Sequence, residues 1–105
     1  MKLPRTVKVG GPTIRVAREN LSDDDCFGYY SHDRKVIVLH DSLEGKKLVS
    51  TLRHEVMEAA LCISGVGFCE TMETEAIVRC CDEVYWPAWD RIVQTLDKST
   101  QPPKE

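Results

Sequence analysis

The chain has 105 residues, 42% of them hydrophobic and 30% charged, which predicts a single globular domain and excludes a wholly disordered chain. Its formal net charge of −3 excludes the basic surface typical of nucleic-acid binding, so we expect no nucleic-acid partner. No apolar run reaches the roughly 18–20 residues that span a bilayer, and residues 1–11 lack the apolar core of a signal peptide. We therefore expect a cytoplasmic protein with no membrane partner.

Short β-prone runs dominate the first half of the chain. Residues 6–9 and 13–17 flank a Gly-Gly-Pro turn, and residues 26–30 and 35–40 flank a polar turn, so each pair predicts a β-hairpin. The run at 35–40 is the most apolar of the four. We expect these hairpins to form a small antiparallel or mixed sheet.

Helical patterns fill the second half of the chain. Asp41 and Ser42 are the predicted N-caps of a first helix, which Gly65 ends as a C-cap. A second helix is predicted from about residue 71 to 96, and we expect Pro87 to kink or break it.

The fold class that follows is α+β, with a small N-terminal sheet of hairpins followed by two long helices. We expect one domain over residues 1–98 and a flexible tail at residues 99–105, where two prolines follow a polar run. The cysteines are odd in number and include no C-x-x-C pair, so we expect reduced, mostly buried thiols rather than disulfides or a cysteine zinc site. The five cysteines are Cys26, Cys62, Cys69, Cys80 and Cys81.

The residues most suggestive of chemistry lie in the predicted first helix. His54 and Glu58 are four residues apart, which places them on one helix face, and Glu55 is about 100° round from His54. This is the layout of the H-E-x-x-H metal motif, with a glutamate in place of the second histidine. A carboxylate is an accepted zinc ligand, so His54 and Glu58 are candidate metal ligands.

The surroundings of Glu58 strengthen this hypothesis. Seven of the eight residues at 56–63 are apolar, and Glu58 is the exception, so we expect this carboxylate to be buried. A buried carboxylate needs a partner because desolvation of its charge is costly. The partner is either a metal ion shared with His54 or a salt bridge to Arg53 or Arg79.

The second helix offers acidic residues as a third ligand. Its apolar residues recur at helical spacing and define an inward face: Ile77, Cys81, Val84, Tyr85, Ala88, Ile92 and Leu96. Glu73 is four residues before Ile77 and extends this face, whereas Glu75 is about 160° away from Ile77. The periodicity therefore favours Glu73, with Glu75 as the alternative.

Plainer interpretations exist for the same histidines and acids. His54 can be an ordinary helix histidine, with Glu55 and Glu58 in a solvated charge cluster. His40 ends the most apolar strand, where it either lines a site or caps the strand edge. His32 lies in a turn, and we expect it to be solvated.

Several segments in order resemble the small phage- and prophage-encoded zincin-like proteins, distant relatives of the ImmA/IrrE-type metallopeptidases. The segments are the hairpin residues 27–30 and 35–40, the T-L-R-H-E-V-M-E-A helix at 51–59, Ser64-Gly65, and the acidic helix entry at 73–79. The resemblance implies that His54 is the first zinc ligand, that Glu55 is the general base, and that Glu73 or Glu75 is the third ligand. Glu58 stands where that family has its second histidine.

This departure changes the expected chemistry. Two carboxylates bring more negative charge to the ion than a site with two histidines and one glutamate, which makes zinc a weaker Lewis acid and favours manganese or iron as alternatives. We expect one divalent metal ion, zinc first, in a peptidase that acts on a protein or peptide substrate, where His40 or a tyrosine stabilises the oxyanion. The alternatives are a catalytically inactive zincin-like module that binds a host protein, and a plain structural α+β domain without metal.

Overall fold

The computed structural model describes residues 3–24, 26–65 and 74–100. Four strands are followed by three helices: Thr6–Lys8 (β1), Thr13–Glu19 (β2), Gly28–Ser31 (β3), Val36–His40 (β4), Gly45–Ile63 (α1), Thr74–Cys80 (α2) and Trp86–Thr100 (α3). A 3-10 turn at Ser22–Asp24 precedes β3, and a π-helical turn at Cys81–Tyr85 joins α2 to α3. The order confirms the predicted α+β class, a small sheet followed by two helical segments.

The strands form one mixed sheet in the order β1-β2-β4-β3. Both predicted hairpins are present, with β1 antiparallel to β2 and β3 antiparallel to β4. The hairpins join through β2 and β4, which pair in parallel from Arg15 opposite Val36 to Glu19 opposite His40. The most apolar strand, β4, therefore lies between two neighbours, while β3 lies at an edge.

Strand β4 is buried on both of its faces. Ile37 and Leu39 belong to the main core beneath the helices, while Val36 and Val38 face a smaller cluster around Leu21. Successive side chains of a strand point to opposite faces, so a strand covered on both sides has an unbroken apolar run. Neighbouring tyrosines of β3 divide in the same way, with Tyr30 against the main core and Tyr29 against the smaller cluster.

An arginine from β2 secures the turn between β4 and α1. The Arg18 Nη2 donates to the carbonyl oxygens of His40, Asp41 and Leu43 at 3.0, 3.0 and 2.7 Å. Since a guanidinium can donate to several carbonyls at once, one side chain fixes the backbone that leads into α1.

The predicted N-caps of α1 are wrong. The helix begins at Gly45 with Glu44 as its N-cap, and no side chain hydrogen-bonds the cap. Ser42 instead donates its backbone N–H to His40 Nδ1 at 3.0 Å, and Arg18 holds the carbonyl of Asp41. The backbone of both residues is therefore hydrogen-bonded within the turn before the helix. At the other end the prediction holds, because Gly65 follows the C-cap with a φ of 83°.

Helix α1 lies close against the edge strand β3 at a glycine. A Cβ built on Gly28 would lie 3.0 Å from the carbonyl oxygen of Val38 and 3.1 Å from Thr51 Cγ2 of α1. These distances are shorter than ordinary van der Waals contacts, so glycine permits the approach of β3 to the middle of α1.

The helix continues past Pro87, and the irregularity expected at the proline comes just before it as the π-turn. Residues 74–100 run as one helical segment in which the π-turn comes just before the proline, and the N–H of Trp86 donates to the carbonyl of Cys81. Pro87 has no N–H and its ring would crowd the carbonyl of Glu83, four residues earlier, in a regular α-helix. The wider π-turn absorbs this conflict. Helix α3 ends at Thr100, and residues 101–105 of the predicted tail lie outside the described residues.

We predict that Gly28→Ala destabilises the protein by about 1–3 kcal/mol, the usual cost of overpacking, because its methyl group meets backbone at Val38 and α1 at Thr51. Gly11→Ala is the matched control, since a Cβ there has nothing within 4 Å and Gly11 has no positive φ. Urea unfolding of both variants measures the difference. Equal midpoints for the two variants would contradict a tight contact at Gly28.

Candidate metal centre

His54 and Glu58 lie one turn apart on the exposed face of α1. The distance from His54 Nε2 to Glu58 Oε1 is 3.3 Å, and the two side chains are 70% and 49% exposed. The i,i+4 spacing of the sequence accounts for this approach. Within the described residues, the ion pair of Glu58 is with His54 rather than with the predicted alternatives Arg53 or Arg79.

Glu55 lies beside this pair but points into the protein. It is only 4% exposed, and its Oε1 has no hydrogen-bond partner in the described part of the chain. Burial first, and then the hydrogen bond and negative charge of Glu58, raise the pKa of Glu55 to about 8. Without a cation nearby, Glu55 therefore keeps its proton at neutral pH.

The expected burial of Glu58 is thus wrong, and Glu55 is the buried acid. Helix α1 packs by a single face, and the buried positions Leu48, Leu52 and Ala59 repeat at alternating spacings of four and three residues around Glu55. Residues 57 and 61–63 are apolar but only partly buried, so the apolar composition of this half-helix does not mean burial all round. The four-three spacing is the sequence signal that identifies Glu55.

Together the three side chains form a possible metal site. His54, Glu55 and Glu58 each offer one ligand atom, and these atoms all lie within 4.8 Å of one another. An imidazole and two carboxylates are a donor set that zinc, manganese and iron accept. The unpartnered buried oxygen of Glu55 also fits a cation, since a positive charge there would compensate an otherwise costly carboxylate.

The predicted third ligand cannot be placed in this cluster. Glu73 lies outside the described residues, and only the backbone of Glu75 is described, in the first turn of α2. Helix α2 contacts α1, and Ser64 at the end of α1 donates its hydroxyl to Cys80 Sγ of α2 at 3.2 Å. The helix that carries Glu75 is therefore a neighbour of the helix that carries His54.

Sequence reasoning missed a set of polar groups near the cluster. Burial first, then the charge of Glu58, raise the pKa of the Cys62 thiol, while Lys35 lowers it. Burial and the nearby Cys62 raise the pKa of Tyr30, whose hydroxyl hydrogen-bonds His32 Nδ1 at 2.9 Å. His32, which we expected to be solvated, therefore forms a hydrogen bond within the protein. The β3–β4 hairpin thus brings Tyr30 and Lys35 close to Cys62, which lies one turn after Glu58 on α1.

His40 belongs to a different cluster, which resembles a Ser-His-Asp triad in its distances alone. Its Nε2 lies 3.2 Å from Ser22 Oγ, and its Nδ1 lies 3.2 Å from Asp41 Oδ1. The backbone N–H of Ser42 donates to the same Nδ1 at 3.0 Å, so Nδ1 is an acceptor and the ring proton is on Nε2. A protonated Nε2 donates to Ser22 and cannot take its proton. His40 therefore has a structural role in the turn before α1.

Comparisons of the chain with protein-family models, with curated proteins and with solved structures find no match. In the described part of the chain, no helix is both long enough and apolar enough to cross a bilayer.

We predict that the metal-free protein loses stability as the pH rises from about 5 to 8. A carboxyl group whose pKa is higher in the folded than in the unfolded chain binds its proton more tightly when folded, so stability is lost as pH rises through the interval between the two values. Glu55→Gln keeps a neutral side chain of similar shape and should remove this loss. Urea unfolding in EDTA across this pH range measures both proteins.

Glu83→Gln is the control for this experiment, because Glu83 is an exposed acid on the π-turn. Its pH dependence should follow that of the wild type. Parallel stability profiles for wild type and Glu55→Gln would contradict the raised pKa of Glu55.

Proposed function

We propose that this chain is a metal-dependent hydrolase of the zincin type that cleaves peptide bonds. The observation that carries the proposal is the convergence of His54, Glu55 and Glu58 on α1, with a buried carboxyl oxygen left without a partner among the described residues. The order of elements also suits it, since the motif helix follows a small sheet and packs beside an edge strand.

The exposed pair supplies two ligands in this proposal. His54 Nε2 and a Glu58 oxygen bind the ion, and Glu73 or Glu75 supplies the third ligand from the second helical segment. Zinc is the first choice, because imidazole and carboxylate both belong to its usual ligand set. Manganese and iron are the alternatives, because two carboxylates make the site richer in charged oxygen than one with two histidines. When bound, such an ion polarises a carbonyl and acidifies water.

Glu55 serves as the general base. A general base must accept a proton from the attacking water. The raised pKa of Glu55 means that its surroundings favour the protonated form, so Glu55 accepts a proton readily. A cation beside it favours the ionised form before the reaction, which prepares it to accept a proton. His40 is hydrogen-bonded to Ser22 and Ser42, which leaves a tyrosine as the expected oxyanion donor.

A second candidate is the inactive zincin-like module, which retains the metal and acts by binding a host protein. The observation in its favour is that Glu55 is 4% exposed, which restricts the access of a substrate to the base. In either case the resemblance to phage and prophage proteins favours a bacterial host cytoplasm, where thiols such as Cys62 stay reduced.

We predict that the protein binds one equivalent of zinc or manganese and that His54→Ala or Glu58→Gln weakens this binding at least tenfold. His54→Ala removes a donor atom of the cluster, and Glu58→Gln removes a negative charge from it. Calorimetry on protein stripped with EDTA measures affinity and stoichiometry, and Glu83→Gln should bind as the wild type does. If the wild-type protein bound none of the tested metals at one equivalent, the proposed metal centre would be refuted.

We predict that Glu55→Gln keeps the metal but loses at least about a hundredfold in peptide cleavage, the lower range for loss of a general base. Mass spectrometry of a proteome-derived peptide library, incubated with metal-loaded protein, measures cleavage across many peptide sequences at once. Metal binding with no cleavage by wild type would select the inactive module instead.

A further inference from the structure

A groove with basic borders lies along the N-terminal half of α1, and we call it the α1 groove. It consists of two adjoining depressions of about 390 and 520 Å³. The first is lined by Phe27, Leu43 and Lys47, the second by Val49 and Arg53, and Lys46 borders both. No acidic side chain among the described residues lines either depression.

The positive charges of the α1 groove lie at the end of the helix where they destabilise it. Amide N–H groups make the N-terminus of a helix positive, and acidic side chains are favoured there. The first turn of α1 has no acidic residue, and the N-cap of the helix makes no side-chain hydrogen bond. Instead, Lys46 and Lys47 lie in that first turn. Arg53 adds a third exposed cation two turns later. An anionic group in the groove would meet these cations at a helix end whose N-cap makes no side-chain hydrogen bond.

The apolar part of the α1 groove points to a peptide. Phe27 is 62% exposed although it is a large aromatic side chain, and it borders the same depression as Leu43. A bulky apolar side chain of a partner would cover Phe27 while acidic neighbours meet Lys46 and Lys47. Nucleic acid fits less well, because a chain of net charge −3 with three cations around apolar walls lacks a phosphate-binding surface.

The groove also leads to the proposed catalytic cluster. Arg53 is adjacent to His54 in the chain, and Lys47 precedes His54 by seven residues, which is two turns along the same helix face. A peptide lying along the exposed face of α1 would therefore pass from the lysines to His54 and Glu58.

We propose that the α1 groove binds a protein segment that combines acidic residues with one bulky apolar residue. Its assignment as the substrate segment rests on the proposed function, whereas binding itself does not require the metal. The acidic residues pair with Lys46, Lys47 and Arg53, and the apolar side chain packs on Phe27.

Selection of peptides from a displayed random 12-residue library on the wild-type protein tests the proposal. The selected peptides should be rich in aspartate and glutamate around one aromatic or large aliphatic residue. By fluorescence anisotropy, Lys46→Glu/Lys47→Glu should bind the selected peptide at least tenfold more weakly, and Phe27→Ser several-fold more weakly. The control Lys8→Glu/Arg34→Glu makes the same change in net charge at exposed residues outside the groove and should bind within twofold of wild type.

Thermal unfolding separates lost binding from lost structure. Acids in the first turn of α1 favour the helix, so Lys46→Glu/Lys47→Glu should melt at or above the wild-type temperature while it loses the peptide. The same variant should bind zinc within twofold of wild type, and His54→Ala should keep the peptide. Peptide binding without metal binding would therefore support the α1 groove proposal and contradict the proposed hydrolase. Metal binding without peptide binding would contradict the α1 groove proposal.

Three results would overturn the proposal. The first is a library that yields no enriched peptide, and the second is enrichment of peptides without acidic residues. The third is binding of duplex DNA or of phosphatidylserine vesicles that Lys46→Glu/Lys47→Glu abolishes, with no acidic peptide enriched. That result would assign the lysines to nucleic acid or to a lipid surface.

Discussion

Glu55 occupies a position on the packed face of α1 where the helix would otherwise bury an apolar side chain, and its Oε1 has no partner among the described residues. An unsatisfied buried polar group costs about 1–3 kcal/mol of folding free energy. The adjacent Glu58 makes ionisation of Glu55 still less favourable. A cation held by His54 and Glu58 would offset both costs, since its positive charge favours the ionised form of the nearby Glu55.

The rest of the fold holds α1 at one position on the sheet. Gly28 allows β3 to approach the middle of the helix, and Arg18 ties the turn that leads into it to the end of β4. The buried β4 lies between two strands and gives the helix an apolar surface to pack on. The proposed metal site would need this support, because its donor geometry depends on the placement of the backbone.

The local features of this fold are predictable from the sequence and the distant ones are not. Turn residues and alternation locate both hairpins, but the parallel pairing of β2 with β4 is a contact between hairpins that no local pattern specifies. The spacing of His54 and Glu58 predicts their approach, because both belong to one helix. The burial expected at Glu58 is wrong because the apolar composition of residues 56–63 does not reveal which face packs, whereas the four-three spacing marks Glu55 as the inward acid.

Three departures from ordinary helix chemistry occur together on α1. Its N-cap makes no side-chain hydrogen bond, its first turn carries lysines instead of acids, and its packed face includes a carboxyl group. The first two departures lower the stability of the helix itself, and the third costs free energy when the helix packs. An anionic partner would relieve the charge at Lys46 and Lys47, and a cation would relieve the charge at Glu55 and Glu58. The two needs are opposite in sign and lie about two to three turns apart, which is the physical basis for proposing that one helix binds an acidic segment at its start and a metal ion further along.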